Sequence, residues 1–205
     1  RIVSLGRLEP YKRVELLIRA FAQVLREVPE ASLSIVGRGP EETRLRQLAR
    51  RLGVAERVVF HGFVDEAQKR RLLQESALLV QCSRKEGWGI TVVESYACGT
   101  PVVASAVPGL VDSVQNGLTG VLVQKPRPEV FARTITKLLL DEPKRVQMAE
   151  YALGCAERFC WDAAARDVEV ALASLHEPST QPTTSEHERL RAAKPVDAPG
   201  WRAIG

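Results

Sequence analysis

A doubly wound α/β fold, with about six parallel strands covered by helices on both faces, is the class this sequence predicts. Three observations predict it. Short apolar runs alternate along the chain with longer segments whose apolar residues recur at helical spacing. Each run is continuously apolar, as suits a strand buried on both faces, rather than alternating apolar and polar. With 205 residues, 45% apolar and 26% charged, the composition is globular and the chain long enough to bury a useful core.

The first run, RIVSLG, ends in Gly6. Val14, Leu17, Ile18, Phe21, Leu25 and Val28 then recur at helical spacing, with Arg and Glu between them. ASLSIVG is a second strand, and Leu45, Leu48 and Leu52 mark a second helix that Gly53 ends. RVVFHG is the third strand, followed by a helix over 65–75 with Asp65 as N-cap. ALLVQCS is the fourth, and a helix from about Gly89 to Ala97 stops before Gly99. TPVVAS is the fifth, with Pro101 at its start, where a missing N–H is tolerated. A short helix near 109–115 and the turn signal Asn116-Gly117 lead to the sixth, GVLV. Helices over about 128–140 and 143–157 follow, and Val168, Ala171, Leu172 and Leu175 mark a last amphipathic one. The sum is a Rossmann-like domain over 1–176. Residues 177–205, rich in Pro, Ser, Thr and charge, are expected to be a disordered tail. The chain opens without Met, directly in a buried strand, so it is expected to be a fragment whose N-terminal partner domain is missing.

Sheets of this type bind ligands outside the carboxyl ends of their strands, and the polar residues of interest fall there. After the first strand, GRLEPYKR places Gly6 in a tight turn and puts Arg7 and Lys12 on one loop. Two cations match the charge of a diphosphate, and an arginine can grip it in two places; two solvated surface cations are the plainer reading. The stretch KEGWGITVVE carries Glu86 and Glu94 with seven residues between them. Gly87 and Gly89 flank Trp88 and expose main-chain amides, and those of Gly89, Ile90 and Thr91 form a helix's first turn, which suits an anion. Each carboxylate can accept hydrogen bonds from a vicinal diol. Glu94 could instead be solvated, although the β-branched run before it heads toward the core. GRGPEE after the second strand lacks the P-loop Lys-Ser/Thr and reads as a strand-to-helix turn, with Gly37 open to a ligand's approach.

Other chemistries are excluded or disfavoured. A net charge of +4 suits anionic ligands and is too modest for nucleic acid. No Asp-x-Asp occurs to clamp a metal on a diphosphate, and the three histidines show no metal spacing, so no metal and no other cofactor is expected. His61 reads as a structural, hydrogen-bonded residue. The four cysteines form no CxxC pair and read as buried thiols in a reducing, cytoplasmic setting.

These blocks resemble, in content and order, the C-terminal, nucleotide-sugar-binding domain of the family-4, retaining GT-B glycosyltransferases. GRLEPYKRVELLIRAF, SIVGRGPEETRLRQLA, VVFHGFVDEAQKRRLL, EGWGITVVESYACGTPVVAS and VQNGLTGVLV carry the likeness over about 1–175. The resemblance implies the C-terminal half of a GT-B fold and a nucleotide-diphosphate sugar as donor. It implies that Arg7 and Lys12 hold the diphosphate and that Glu94 binds the ribose hydroxyls. Glu86 would lie by the donor sugar as the catalytic residue. Gly87, Trp88, Gly89, Ile90 and Thr91 would form the loop whose amides meet sugar and phosphate, and Phe63 and Val64 would lie beside the base. Two departures stand out: Arg13, where Gly is common after the Lys, and Arg38, where Asp is common. The acceptor site would belong to the missing N-terminal domain, so the fragment alone should not turn over substrate. A non-catalytic module that binds nucleotide sugars or joins an assembly remains the alternative. Peripheral contact with the membrane's cytoplasmic face through the Arg-rich segment 38–51 is a further expectation, against a solvated helix face.

Overall fold

The computed structural model describes residues 1–176. The chain divides into two units, Arg1–Glu157 and Arg158–Gly205. The first holds six strands: β1 (Ile2–Leu5), β2 (Leu33–Val36), β3 (Val58–Gly62), β4 (Leu78–Gln81), β5 (Val102–Ser105) and β6 (Gly120–Val123). All neighbours pair in parallel, in the order β3-β2-β1-β4-β5-β6. The direction of winding therefore reverses between β1 and β4, which opens a crevice at their carboxyl ends.

Both faces of this sheet are covered, and the strands show why. Alternate side chains point to opposite faces, so Ile2, Leu33, Ile35, Leu78 and Val80 enter one apolar cluster. Val3, Leu5, Val36, Leu79 and Val102 enter another. The first cluster is roofed by α1 (Val14–Glu27), α2 (Glu42–Arg51) and α6 (Pro128–Leu140), with α1 packed along α6. The second is roofed by α3 (Glu66–Gln74), α4 (Ile90–Tyr96), α5 (Leu110–Ser113) and α7 (Glu142–Ala156), with α4 against α7. Leu17, Ile18 and Phe21 of α1 are wholly buried. Each such side chain stabilises the fold by about 1.5–3 kcal/mol relative to leaving it in water.

The element boundaries follow local chemistry. The Asp65 side chain accepts from the Gln68 N–H at 2.7 Å and caps α3. Gly53 and Gly99, at φ 70° and φ 68°, take the left-handed conformation just past α2 and α4. Asn116 Oδ1 accepts from the Leu122 N–H at 2.9 Å, tying the Asn-Gly turn to β6.

The second unit contains α8 (Trp161–His176). Along it Val168 and Leu172 are 57% and 58% exposed, so the apolar stripe read from the sequence is not buried within that unit. The sheet-bearing unit thus ends at Glu157, whereas the sequence reading drew one domain to 176. The tail expected over 177–205 lies outside the described residues. No disulfide joins the cysteines; Cys82 and Cys155 are buried, but Cys160 is exposed, contrary to the expectation of buried thiols.

Candidate functional site

The crevice between β1 and β4 begins with a backbone fit. Gly37 adopts φ 130°, and a Cβ there would stand 1.9 Å from the Gly6 carbonyl oxygen. At Gly39 a Cβ would stand 2.3 Å from the Leu8 carbonyl oxygen. The Leu8 N–H donates to the Arg38 carbonyl at 2.9 Å. The glycines of GRGP therefore let two rim loops lie main chain on main chain. Gly37 faces its own protein, which corrects the idea that it leaves room for a ligand.

Beyond Gly6 a single turn of 3-10 helix over Pro10–Lys12 aims its last residue into the crevice. Arg13 then takes φ 52°, the one non-glycine with positive φ among the described residues. A side chain there costs about 1–2 kcal/mol, which is a physical reason for the glycine common at that place in the resembling family. Its guanidinium reaches the Pro126 carbonyl at 3.5 Å.

Lys12 Nζ lies 2.6 Å from Glu86 Oε1, across the crevice, and both side chains are only 13% exposed. Ser83 Oγ donates to the same oxygen at 2.6 Å. The Arg84 N–H donates to the Tyr11 carbonyl at 2.8 Å, so the two loops are also joined through main chain. Arg7, exposed, donates from Nη2 to the Tyr11 hydroxyl at 3.2 Å. Lys12 and Lys85 lie 5.4 and 6.0 Å from the Tyr11 ring centre, where the ring's negative face favours cations. Arg7 and Lys12 line one narrow cleft with Gly6 and Gln81. Tyr11, Ser83, Gln81 and Lys85 were not singled out from the sequence. Lys85 adjoins Glu86 and offered a signal; the others acquire meaning only from the sheet's topology.

Glu86 is also fixed by its main chain. Gly109 follows β5 at φ 83°, and a Cβ there would meet the Glu86 carbonyl oxygen at 2.4 Å. From Glu86 the chain passes through exposed Gly87 and Trp88 to Gly89, which at φ 85° precedes α4. Of the first-turn amides of α4, that of Val92 donates to the Gly89 carbonyl at 2.8 Å, whereas those of Ile90 and Thr91 have no carbonyl partner within the helix. Gln81 Nε2 donates to the Leu5 carbonyl at 2.9 Å and to Thr91 Oγ1 at 3.0 Å, tying α4 to the cleft. Glu94, three residues further, lies on the same helix face as Thr91.

Glu94 belongs to a second cluster. Its Oε1 accepts from Lys69 Nζ at 2.6 Å, and Lys69 also reaches Glu66 Oε1 at 2.9 Å. Burial alone would lower the Lys69 pKa, but hydrogen bonds to Glu94 and Glu66 outweigh it and raise it above the ordinary lysine value. At 31% exposed, the Glu94 side chain is neither solvated nor in the core. The two acidic residues of the motif are thus held by different lysines. Phe63 is 76% exposed at the loop before α3, whereas Val64 packs partly against the second apolar cluster. Trp88 and Ile90 are exposed at 38% and 69%. His61, in β3 two residues before Phe63, bonds Ser34 Oγ at 3.1 Å; desolvation, helped by the Arg1 charge, lowers its pKa.

This arrangement offers cations for an anion at the crevice and carboxylates for hydroxyl groups on either side. Comparison with known proteins points the same way. Residues 1–154 match the family described as Glycosyl transferases group 1. D-inositol 3-phosphate glycosyltransferase of Corynebacterium aurimucosum is 34% identical over 174 residues, covering 82% of this chain and 41% of that protein. D-inositol 3-phosphate glycosyltransferase 2 of Catenulispora acidiphila is 37% identical over 175 residues, covering 80% of this chain and 40% of its own length. The chain therefore spans about two fifths of the length of these relatives. Among solved structures, Anabaena Alr3699/HepE in complex with UDP and glucose superimposes with a TM-score of 0.76 at 29% identity, over 84% of this chain and 48% of that one. Sucrose-phosphate synthase from Thermosynechococcus elongatus gives 0.76 at 28%, over 85% of this chain and 45% of its own.

Proposed function

The chain belongs to the Glycosyl transferases group 1 family, and on that premise we propose that it is the C-terminal, donor-binding half of a retaining GT-B glycosyltransferase. The observation that carries this reading is the meeting of Lys12 and Glu86 at the point where the sheet reverses its winding, beside Arg7. A nucleotide-diphosphate sugar enters with its diphosphate against Arg7 and Lys12. Arg7 can grip two oxygens at once, and Lys12 supplies a point charge. The ribose hydroxyls meet Glu94, the base lies along Phe63 and Val64, and the sugar lies at Glu86 and the Gly87–Thr91 loop. Related structures hold such ligands: Anabaena Alr3699/HepE was solved with UDP-glucose.

The transferred sugar leaves through an oxocarbenium-like transition state, and the acceptor attacks from the face the diphosphate leaves. Negative charge then grows on the leaving diphosphate, and fixed cations that meet it there lower the barrier. Glu86 orients the sugar's hydroxyls and eases the positive charge developing on its ring. Binding requires Lys12 to share or surrender its contact with Glu86, because both claim the same ammonium group. The acceptor is held by an N-terminal domain of the longer protein, and this chain alone does not turn over.

Calorimetric titration of UDP, GDP and ADP into the chain tests the reading. One of them should bind, and Arg7→Ala and Lys12→Ala should each weaken it about tenfold or more, as for lost hydrogen bonds to a charged group. A nucleotide that binds both variants as well as the parent would overturn the diphosphate assignment. Failure of all three to bind would favour an assembly role over donor binding.

A further inference from the structure

Lys69 touches a carboxylate of the Glu86–Glu94 motif from outside the crevice loops. It stands on α3, fourth in Glu66–Gln74, the helix entered directly from Phe63 and Val64. Its side chain is 20% exposed and its ammonium group bridges two carboxylates, Glu94 Oε1 at 2.6 Å and Glu66 Oε1 at 2.9 Å. The two contacts are not alike. Glu66 is 84% exposed and one helical turn away, so water competes for it fully. Glu94 is 31% exposed and arrives from α4, twenty-five residues later, so this contact fixes one helix against another.

We infer that Lys69 is a positioning residue for nucleoside recognition: it holds Glu94 Oε1 and leaves Oε2 aimed for a ribose diol. The inference rests on the donor-site reading above. Its physical basis is that a glutamate side chain samples several rotamers when untethered, and an ion pair of this geometry selects one before ligand arrives. A carboxylate accepts at both oxygens, so occupation of Oε1 does not block a diol at Oε2. Lys69 sits five residues beyond Val64, so the residues proposed to flank the base lie on the loop that leads into the helix carrying the anchor of the ribose carboxylate. Base and ribose recognition are thereby placed on one continuous loop-and-helix segment.

The test is a ratio, which general loss of stability would not change. UDP, GDP and ADP are titrated into the full chain by calorimetry, each beside its 2′,3′-dideoxy form, and the best-bound base is carried forward. The parent should prefer the ribonucleotide by about tenfold, the effect of one good hydrogen bond to a charged group. Lys69→Met should shrink that preference several-fold by weakening the ribonucleotide alone, and Lys69→Arg should retain most of it. Glu94→Gln, as the reference, should remove the preference. If Glu94→Gln removes it and Lys69→Met does not, the positioning role is wrong and the ribose assignment stands. Equal weakening of both nucleotide forms by Lys69→Met also overturns the role, since it marks a purely structural contact. If Glu94→Gln leaves the preference intact, or no nucleotide binds, the donor-site reading falls and takes this inference with it. Circular dichroism on each variant verifies that the fold is retained.

Discussion

Lys12 and Glu86 meet at 2.6 Å with each side chain 13% exposed; Lys69 and Glu94 meet at the same distance with 20% and 31% exposed. Distance does not separate the two pairs, but their surroundings do. The first lies at the sheet's reversal, with Ser83 donating to the shared oxygen and the Glu86 main chain pressed against Gly109. The second joins two helices near the surface and has a spare carboxylate in Glu66. Shielded charges interact strongly and are costly to leave alone, whereas exposed pairs contribute about 0–1 kcal/mol. On the proposed donor-site reading, the first pair is thus a resting arrangement whose ammonium group the incoming ligand shares or takes over. The second is a brace between two helices, which on the same reading stays in place while ligand binds beside it.

The largest expected effect comes from breaking the first pair at its backbone. Gly109→Ala adds a Cβ 2.4 Å from the Glu86 carbonyl oxygen at a φ of 83°. The left-handed strain and the overlap together should cost about 3 kcal/mol or more. Gly87→Ala, with nothing within 4 Å of its Cβ, should change stability by less than about 0.5 kcal/mol. Urea unfolding of the two variants checks this. Equal stability would mean that the loop after β5 does not hold Glu86.

Removing one carboxylate from each pair sharpens the contrast. Glu86→Ala leaves Lys12 shielded and without its anion, and should destabilise by about 2 kcal/mol, less than the 3–5 of a fully buried pair. Glu94→Ala leaves Lys69 with Glu66 and water, and should cost under about 1 kcal/mol. Denaturant midpoints of the two variants decide the matter; a larger loss for Glu94→Ala would reverse the roles drawn here.

How much of this was legible in the sequence depended on the range of the interaction that fixes each feature. The six strands, their parallel pairing and the Asp65 cap follow from local periodicity and turn chemistry, and they stand as read. Arg7, Lys12 and Glu86 could be proposed because strand ends are where such sheets bind ligands. Their pairing could not, since Lys12 and Glu86 lie seventy-four residues apart and a choice of partner is a tertiary fact. Gly37 was misread for the same reason: a glycine at a strand end signals close approach, but only the neighbouring loop tells what approaches. Lys69 was invisible because it stands among charged residues of a short surface helix, where one lysine looks like the next. The last helix was legible from its periodicity and is present as α8, whereas the exposure of Val168 and Leu172 is a tertiary fact that periodicity does not carry.

The smallest expected effect is a pH dependence of the brace. The Lys69 pKa is raised in the folded chain, because hydrogen bonds to Glu94 and Glu66 favour the charged form by more than burial opposes it. A folded-state pKa above the unfolded value means that the folded state holds the proton more tightly. The resulting stability is present in full below the unfolded lysine value of about 10.4 and is lost as pH rises through the raised folded value. The stability difference between the parent and Lys69→Met should therefore be level from about pH 6 to 9 and shrink above about 10.4. Because the side chain is partly exposed and screened, the whole difference should stay below about 1 kcal/mol. Unfolding curves at closely spaced pH values, with the Lys69 ammonium followed by NMR, measure both quantities. A difference that grows above pH 10, or a Lys69 titrating below the free lysine value, would mean that burial outweighs the two carboxylates and that the brace does not hold Glu94.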